Sequence, residues 1–278
     1  MSKLFIAADM EGCAGVSSQS ELSSGAWGWA DARRWMTAEV AAACEAALEA
    51  GYEEVIVADG HGNAQNILPD GLPEKVRLIR SWPRPLLQMQ GVDAPDVTGC
   101  LFIGNHASAQ DGAGLLAHTY HGGAIRDLRL NGVSASEGYF NAALAGSLGK
   151  PVLLVTGDDA AIEDARRYAP QAELCAVKQP TGWRSQASLT PAESCRKIRD
   201  ATRKAIEKAD RAAPFCPDGP YTLEIEFTSQ LACEVLSYLP DVERLSAFTA
   251  RMQAETMSEA MRVVAFSIFY SPTGVVNL

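Results

Sequence analysis

The chain of 278 residues is 47% hydrophobic, enough to bury one large α/β core together with a smaller appendage. Its net charge of -10, with no clustered run of Lys and Arg, excludes a nucleic-acid backbone as partner. No apolar run reaches membrane-spanning length, the N-terminus lacks a secretory layout, and the seven cysteines show no CxxC spacing, so a cytoplasmic protein without a disulfide framework is expected.

In chain order, "KLFIAAD" (3–9) reads as a buried strand that runs into the carboxylate pair Asp9 and Glu11. Strand alternation would turn both carboxylates to one side and Met10 to the other, with Gly12 letting the chain leave without crowding them. Cys13 follows, with core packing, shielding and a direct role as its readings. The stretch "SSQSELSSGAWGWADARR" (17–34) reads as a loop whose Trp27 and Trp29 line a pocket, meet another subunit or, for one of them, pack in the core. A helix over 30–51 carries Trp35, Val40, Ala43, Ala47 and Leu48 near one face, with Gly51 as its stop. "EEVIVADG" (53–60) closes a βαβ unit, and "KVRLIR" (75–80) and "GCLFIGNH" (99–106) add strands.

Residues 124–136 read as a hairpin turning at Asn131-Gly132, followed by a helix over 136–149 and the strand "KPVLLVTGDD" (150–159). A charged amphipathic helix over 190–212 leads through the Pro-rich "APFCPDGP" (213–220) into the strand "YTLEIEF" (221–227). The repeated order implies an α/β fold, a mainly parallel sheet covered by helices, in a domain over 1–184 with a smaller C-terminal α+β lobe over 185–278.

Several strands end in groups able to hold a metal: Asp9 and Glu11, then Asp59 and His61, then His106, then Asp158 and Asp159. In open parallel sheets these ends converge, so residues far apart in sequence can meet. All 4 histidines, His61, His106, His118 and His121, fall within residues 61–121. Imidazole with carboxylate suits zinc or a related divalent ion. The donors outnumber what one tetrahedral ion needs, especially if Glu137 is a ligand and not merely a first-turn carboxylate facing a helix dipole. Two ions about 3.5–4 Å apart would use the surplus, and such pairs perform hydrolysis.

"DMEG", "DGHG", "GNHA", "AHT" and the Glu of "SEGYFNA" stand in the order and approximate spacing of a known family. The chain resembles the zinc D-aminopeptidases of the DppA type, peptidase family M55, through nearly its whole length, including "VTGDD" and "AVKQ" (176–179). The resemblance implies two zinc ions per subunit held by Asp9, Glu11, His61, His106 and Glu137, with Asp9 as the bridge. It implies His118 as the catalytic group, acting as nucleophile or as general base and acid. It also implies a ring-like homo-oligomer, with ten subunits as one count, whose internal sites admit short peptides.

Around this set, Asp59 reads as a partner that orients His61 or as a loop cap. Asp158 and Asp159 cap the helix "DAAIEDARRYA" or hold a substrate ammonium. Lys178 and Asn105 read as donors near an oxyanion or as strand-end and turn residues, and His121 as an outer-shell, substrate-contacting or solvated loop group. The expected activity is removal of the N-terminal residue, a D-amino acid in the family's pattern, from short peptides. The alternatives are a paired-metal hydrolase of another amide or ester and a non-catalytic metal- or peptide-binding module.

Overall fold

In the computed structural model, which describes residues 2–269, the first strand sets the plan of the molecule. β1 (Lys3–Ala8) sends Leu4, Ile6 and Ala8 into one apolar core and Phe5 and Ala7 into another, because successive side chains leave a strand on opposite faces. A strand buried on both faces needs helices above and below it. α1 (Gln19–Leu22) is a single turn within the Ser-rich segment, and α2 (Trp29–Glu49) lays Met36, Val40, Ala43 and Ala47 over the Leu4 and Ile6 face. Gly51, at φ 101°, ends that helix in a conformation other residues adopt only with strain.

β2 (Glu54–Asp59), β3 (Val76–Ile79) and β4 (Val97–Asn105) follow. β5 (Ile125–Leu130) and β6 (Val133–Ser134) form the expected hairpin, with Asn131 and Gly132 both at positive φ. α3 (Glu137–Ser147), β7 (Val152–Asp158), α4 (Asp159–Ala165), β8 (Glu173–Gly182) and β9 (Ser185–Ser188) come next. α5 (Pro191–Glu207) buries Ile198, Ala201 and Ala205 beside α2. Its Arg199 and Arg203 pair across to Glu49 of α2. The chain ends with β10 (Tyr221–Phe227), α6 (Gln230–Leu236), β11 (Val242–Arg244), β12 (Thr249–Ala254) and α7 (Met257–Phe269).

The main sheet has the order β3-β2-β1-β4-β7-β8-β9, parallel throughout except for β9. The second sheet, β11-β12-β10-β5-β6, is antiparallel. The chain walks from β1 through β2 to the β3 edge, then returns to the other side of β1 as β4. The strand order therefore reverses between β1 and β4, where a crevice opens at the carboxyl ends.

Past residue 185 the chain still serves the main sheet through β9 and α5, and β10 then pairs with β5 in the second. Residues 270–278, the end of the expected C-terminal lobe, lie outside the described residues. Leu128, Leu130, Leu223 and Ile225 of the second sheet share one core with α3, so the two sheets close around that helix. No helix among the described residues is long and apolar enough to cross a membrane.

Candidate metal centre

β1, β2 and β4 are neighbours, so the residues that follow them are delivered to one place. Asp9 stands between two imidazoles, with Oδ1 3.4 Å from His61 Nδ1 and Oδ2 3.5 Å from His106 Nε2. Glu11 Oε2 lies 2.9 Å from His61 Nδ1. Glu137, at the start of α3, puts Oε1 3.1 Å from His106 Nε2. His118 Nε2 lies 3.8 Å from both Glu11 Oε1 and Glu137 Oε1, and its ring stacks on that of His106 with centroids 4.1 Å apart. The six residues thus form two groups, Asp9 with Glu11 and His61, and His106 with His118 and Glu137, each with donor atoms within 4.8 Å of one another.

The close fit is set by backbone. Gly12 donates its N–H to Gly104 O at 2.8 Å, and a Cβ at Gly12 would fall 2.0 Å from Asn105 O. Glycine is therefore required sterically where the loop crosses the end of β4. Met10 turns the other way, into the core, as alternation predicts.

Each of these three histidines spends one nitrogen on a backbone carbonyl. His61 Nε2 donates to Leu22 O, His106 Nδ1 to Ala107 O and His118 Nδ1 to Leu116 O, all at 2.9 Å. A carbonyl can only accept, so that nitrogen carries a proton, and the other nitrogen is turned to the carboxylates, where it offers a lone pair once its own proton is lost. His106 Nε2 is buried and has no hydrogen-bond partner, the two nearby carboxylates lying outside hydrogen-bond geometry. A buried nitrogen left without a partner among acidic oxygens is the arrangement a divalent cation resolves, and the nitrogen and oxygen donor set suits zinc.

Burial by itself disfavours charge on these groups, yet the opposing charges prevail. Against that burial, His106 and His61 hold the Asp9 carboxyl well below the usual carboxylate range. Likewise against burial, Glu11 and Asp9 raise the His61 imidazole, and Glu137 and Asp9 raise that of His106, well above the ordinary value. In the metal-free protein a raised folded-state pKa stabilises fully below the unfolded value of about 6.5 and less as pH climbs through the folded values. Metal binding needs those protons gone, so affinity rises over the same window. The gap in Tm between zinc-loaded and chelator-treated protein is therefore expected to widen from about pH 6 to about pH 8. A calorimetric gap that narrows over this range would contradict the assignment of His61 and His106 as ligands.

The surrounding residues hold loops in place. Asp59 accepts from Asn66 N at 2.6 Å and Ile67 N at 2.8 Å, fixing the loop that carries His61. Asp158 caps α4 through Ala161 N at 2.7 Å and also accepts from Leu115 N at 2.8 Å, which ties down the loop that carries His118. Lys178 is buried and donates to the carbonyls of Glu11, Cys13 at 2.9 Å and Val16 at 2.8 Å. Burial lowers its pKa to about 8. The Cys13 thiol donates to Asp9 O at 3.2 Å, and burial first, with Glu39 beside it, holds it protonated. Asn105 engages the Tyr168 hydroxyl, Asp159 is exposed in the first turn of α4, and His121 is exposed at the rim of the site.

Several contacts have no side-chain signature in the sequence. Gln88 Nε2 donates to Glu137 Oε2 at 2.9 Å and Tyr120 N donates to Glu137 Oε1 at 2.6 Å. Trp29, in the segment read as a loop, opens α2 and donates to Asn66 at 3.0 Å, whereas Trp27 is 84% exposed. A cavity of about 790 Å³ opens over the cluster and is reached by Asp9, Glu11, His61, His118 and Glu137.

The chain matches the peptidase M55 family model, described as D-aminopeptidase, over residues 2–266. It is 30% identical over 263 residues to a D-aminopeptidase of Bacillus subtilis (strain 168), an overlap of 94% of this chain and 95% of that relative. Among solved structures it is similar to the Zn-dependent D-aminopeptidase DppA from Bacillus subtilis, a self-compartmentalizing protease. The TM-score is 0.91 at 30% identity, covering 96% of this chain and 97% of that one.

Proposed function

The chain belongs to the peptidase M55 family of D-aminopeptidases, and from that premise we propose that it is a zinc aminopeptidase with a paired-metal site, releasing N-terminal D-residues from short peptides. One observation carries the reading: three imidazoles, each oriented by a backbone carbonyl, turn their free nitrogens into the carboxylates Asp9, Glu11 and Glu137. Asp9, lying between His61 and His106, is the shared carboxylate. Glu11 and His61 complete one side, and His106 and Glu137 the other.

When bound, zinc supplies Lewis acidity toward a peptide carbonyl and toward water. The chain supplies the rest. His118 is the most accessible of the three imidazoles, 24% exposed at its side chain against 8% for His61 and 2% for His106, and it lines the open cavity. With Nδ1 committed to Leu116 O, its Nε2 is free to take the proton of the attacking water and return it to the leaving amine. Tyr120 N and Gln88 hold Glu137 still while this happens. The proximity of His118 to Glu137 and His106 also favours a second reading, in which it is itself a ligand.

The proposal extends to a ring-like assembly, with ten subunits as the count to test, in the cytoplasm. Trp27 at 84% exposed and Tyr238 at 71% are large surfaces to leave in water, and they fit a subunit contact. The seven described cysteines are all unpaired, which fits a reducing compartment.

Protein purified with zinc is expected to contain two equivalents per chain, to cleave D-alanyl amides, to stop when treated with a chelator and to resume on zinc return. Metal analysis with light scattering on the same preparation checks both counts. Active protein with a single tight equivalent would remove the paired-metal reading.

A further inference from the structure

A second cavity, of about 600 Å³, adjoins the first at Glu137 and has Gln88 in its lining. Its walls are Trp82, Leu87, Ile268 and Phe269, and the larger cavity meets it at Gly60, Gly62, Tyr120, His121 and Glu137. Glu137 is the one acidic residue of its described lining, and Lys and Arg are absent from it. The apolar wall is built in advance. Trp82 donates its indole N–H to Gly62 O at 2.6 Å, beside the loop residue His61. The Arg84 guanidinium lies 3.8 Å over the same ring and is itself tied to Asp59 O at 2.6 Å. Phe269 faces Trp82 with ring centroids 5.7 Å apart. The aromatic wall is thus anchored to the carbonyls of Asp59, at the end of β2, and of Gly62, three residues on, and it needs no ligand to set its direction.

An aminopeptidase has to accommodate one residue on the amine side of the scissile bond and a chain of varied length on the other. The larger cavity, with Ser23, Ser24, Asn63 and Arg126 along it, offers the polar path that a continuing peptide needs. The smaller one offers an apolar recess that begins at the cluster. Resting on the aminopeptidase reading, we propose that this second cavity is the subsite for the side chain of the N-terminal residue and that it selects large apolar side chains, aromatic ones first.

The test uses the zinc-loaded full chain with the amides of D-Ala, D-Leu, D-Phe and D-Lys, the L enantiomers beside them, and D-alanyl dipeptides varied in the second residue. The expected result is a kcat/KM at least about tenfold higher for the Phe amide than for the Ala amide of the accepted enantiomer, with no such gain for Lys. Phe269→Ala is expected to lower kcat/KM for the Phe amide about tenfold more than for the Ala amide. Trp82→Leu, which keeps an apolar wall, should lower it in the same order but by less. A flat series in wild type, a preference that follows the second residue, or losses equal for all amides would each overturn the subsite. Absence of turnover on every substrate would instead sink the aminopeptidase assignment, and the subsite with it.

Discussion

Replacing His118 with alanine is expected to cut kcat on a D-alanyl amide by about 10²- to 10⁴-fold, the range a positioned proton carrier contributes, while zinc content stays unchanged. The expectation follows from position. His118 shares the carboxylates Glu11 and Glu137 with the other imidazoles but sits farther from them, at 3.8 Å, and faces the cavity. Loss of zinc together with loss of activity would make His118 a ligand, in keeping with its grouping with His106 and Glu137. An alanine variant that keeps both would sink the mechanism. The experiment is metal analysis and steady-state kinetics on one preparation.

Lys178→Met is expected to lower stability by on the order of 3 kcal/mol, because three buried carbonyls lose their donor and each orphaned acceptor costs about 1–3 kcal/mol, partly offset by relief of a buried charge. For a chain of this size that corresponds to a drop in Tm of roughly 5 °C. The damage is local as well as global. Those carbonyls belong to Glu11, Cys13 and Val16, so the turn that presents Asp9 and Glu11 loses its central tie. Zinc should then be released at lower chelator concentration. Calorimetry and chelator titration read the two effects, and a methionine variant with unchanged Tm would show that the ammonium does not hold the loop.

What the sequence makes legible is whatever local pattern carries. "KLFIAAD" and "EEVIVADG" are strands because their apolar runs are strand-length and stop at polar residues, and β1 and β2 follow them within a residue or two. The candidate ligands stand out because acids and histidines rarely follow such runs together. Strand order is another matter. Nothing local places β4 beside β1 and not beside β3, and the pairing of Leu223 with Leu130 joins segments too distant to leave a trace in either.

The supporting residues were hidden for a different reason. Glu39 lies on a helix among alanines, where a carboxylate usually faces water, yet it is buried and accepts from Ala14 N at 2.9 Å and from Ser194. Burial first, against those donors, raises its pKa. Lys178 reads as an oxyanion donor or a strand-end lysine, and its three carbonyl acceptors, which make it a tie for the Glu11 turn, are not visible in the sequence. Roles of this kind depend on what the fold brings close, which composition and spacing do not encode.

The carbonyls of Leu22, Ala107 and Leu116 leave a last consequence, for how such a centre tolerates change. Every residue type carries a carbonyl, so the tautomers of His61, His106 and His118 are encoded in the course of the chain and not in any letter at those positions. A saturation scan can replace Leu22 or Leu116 freely by this criterion and never find the acceptor. An insertion or deletion of one residue beside them would remove it at once. Relatives could therefore drift widely in the identity of these three residues while the lengths of the segments around them stay under constraint.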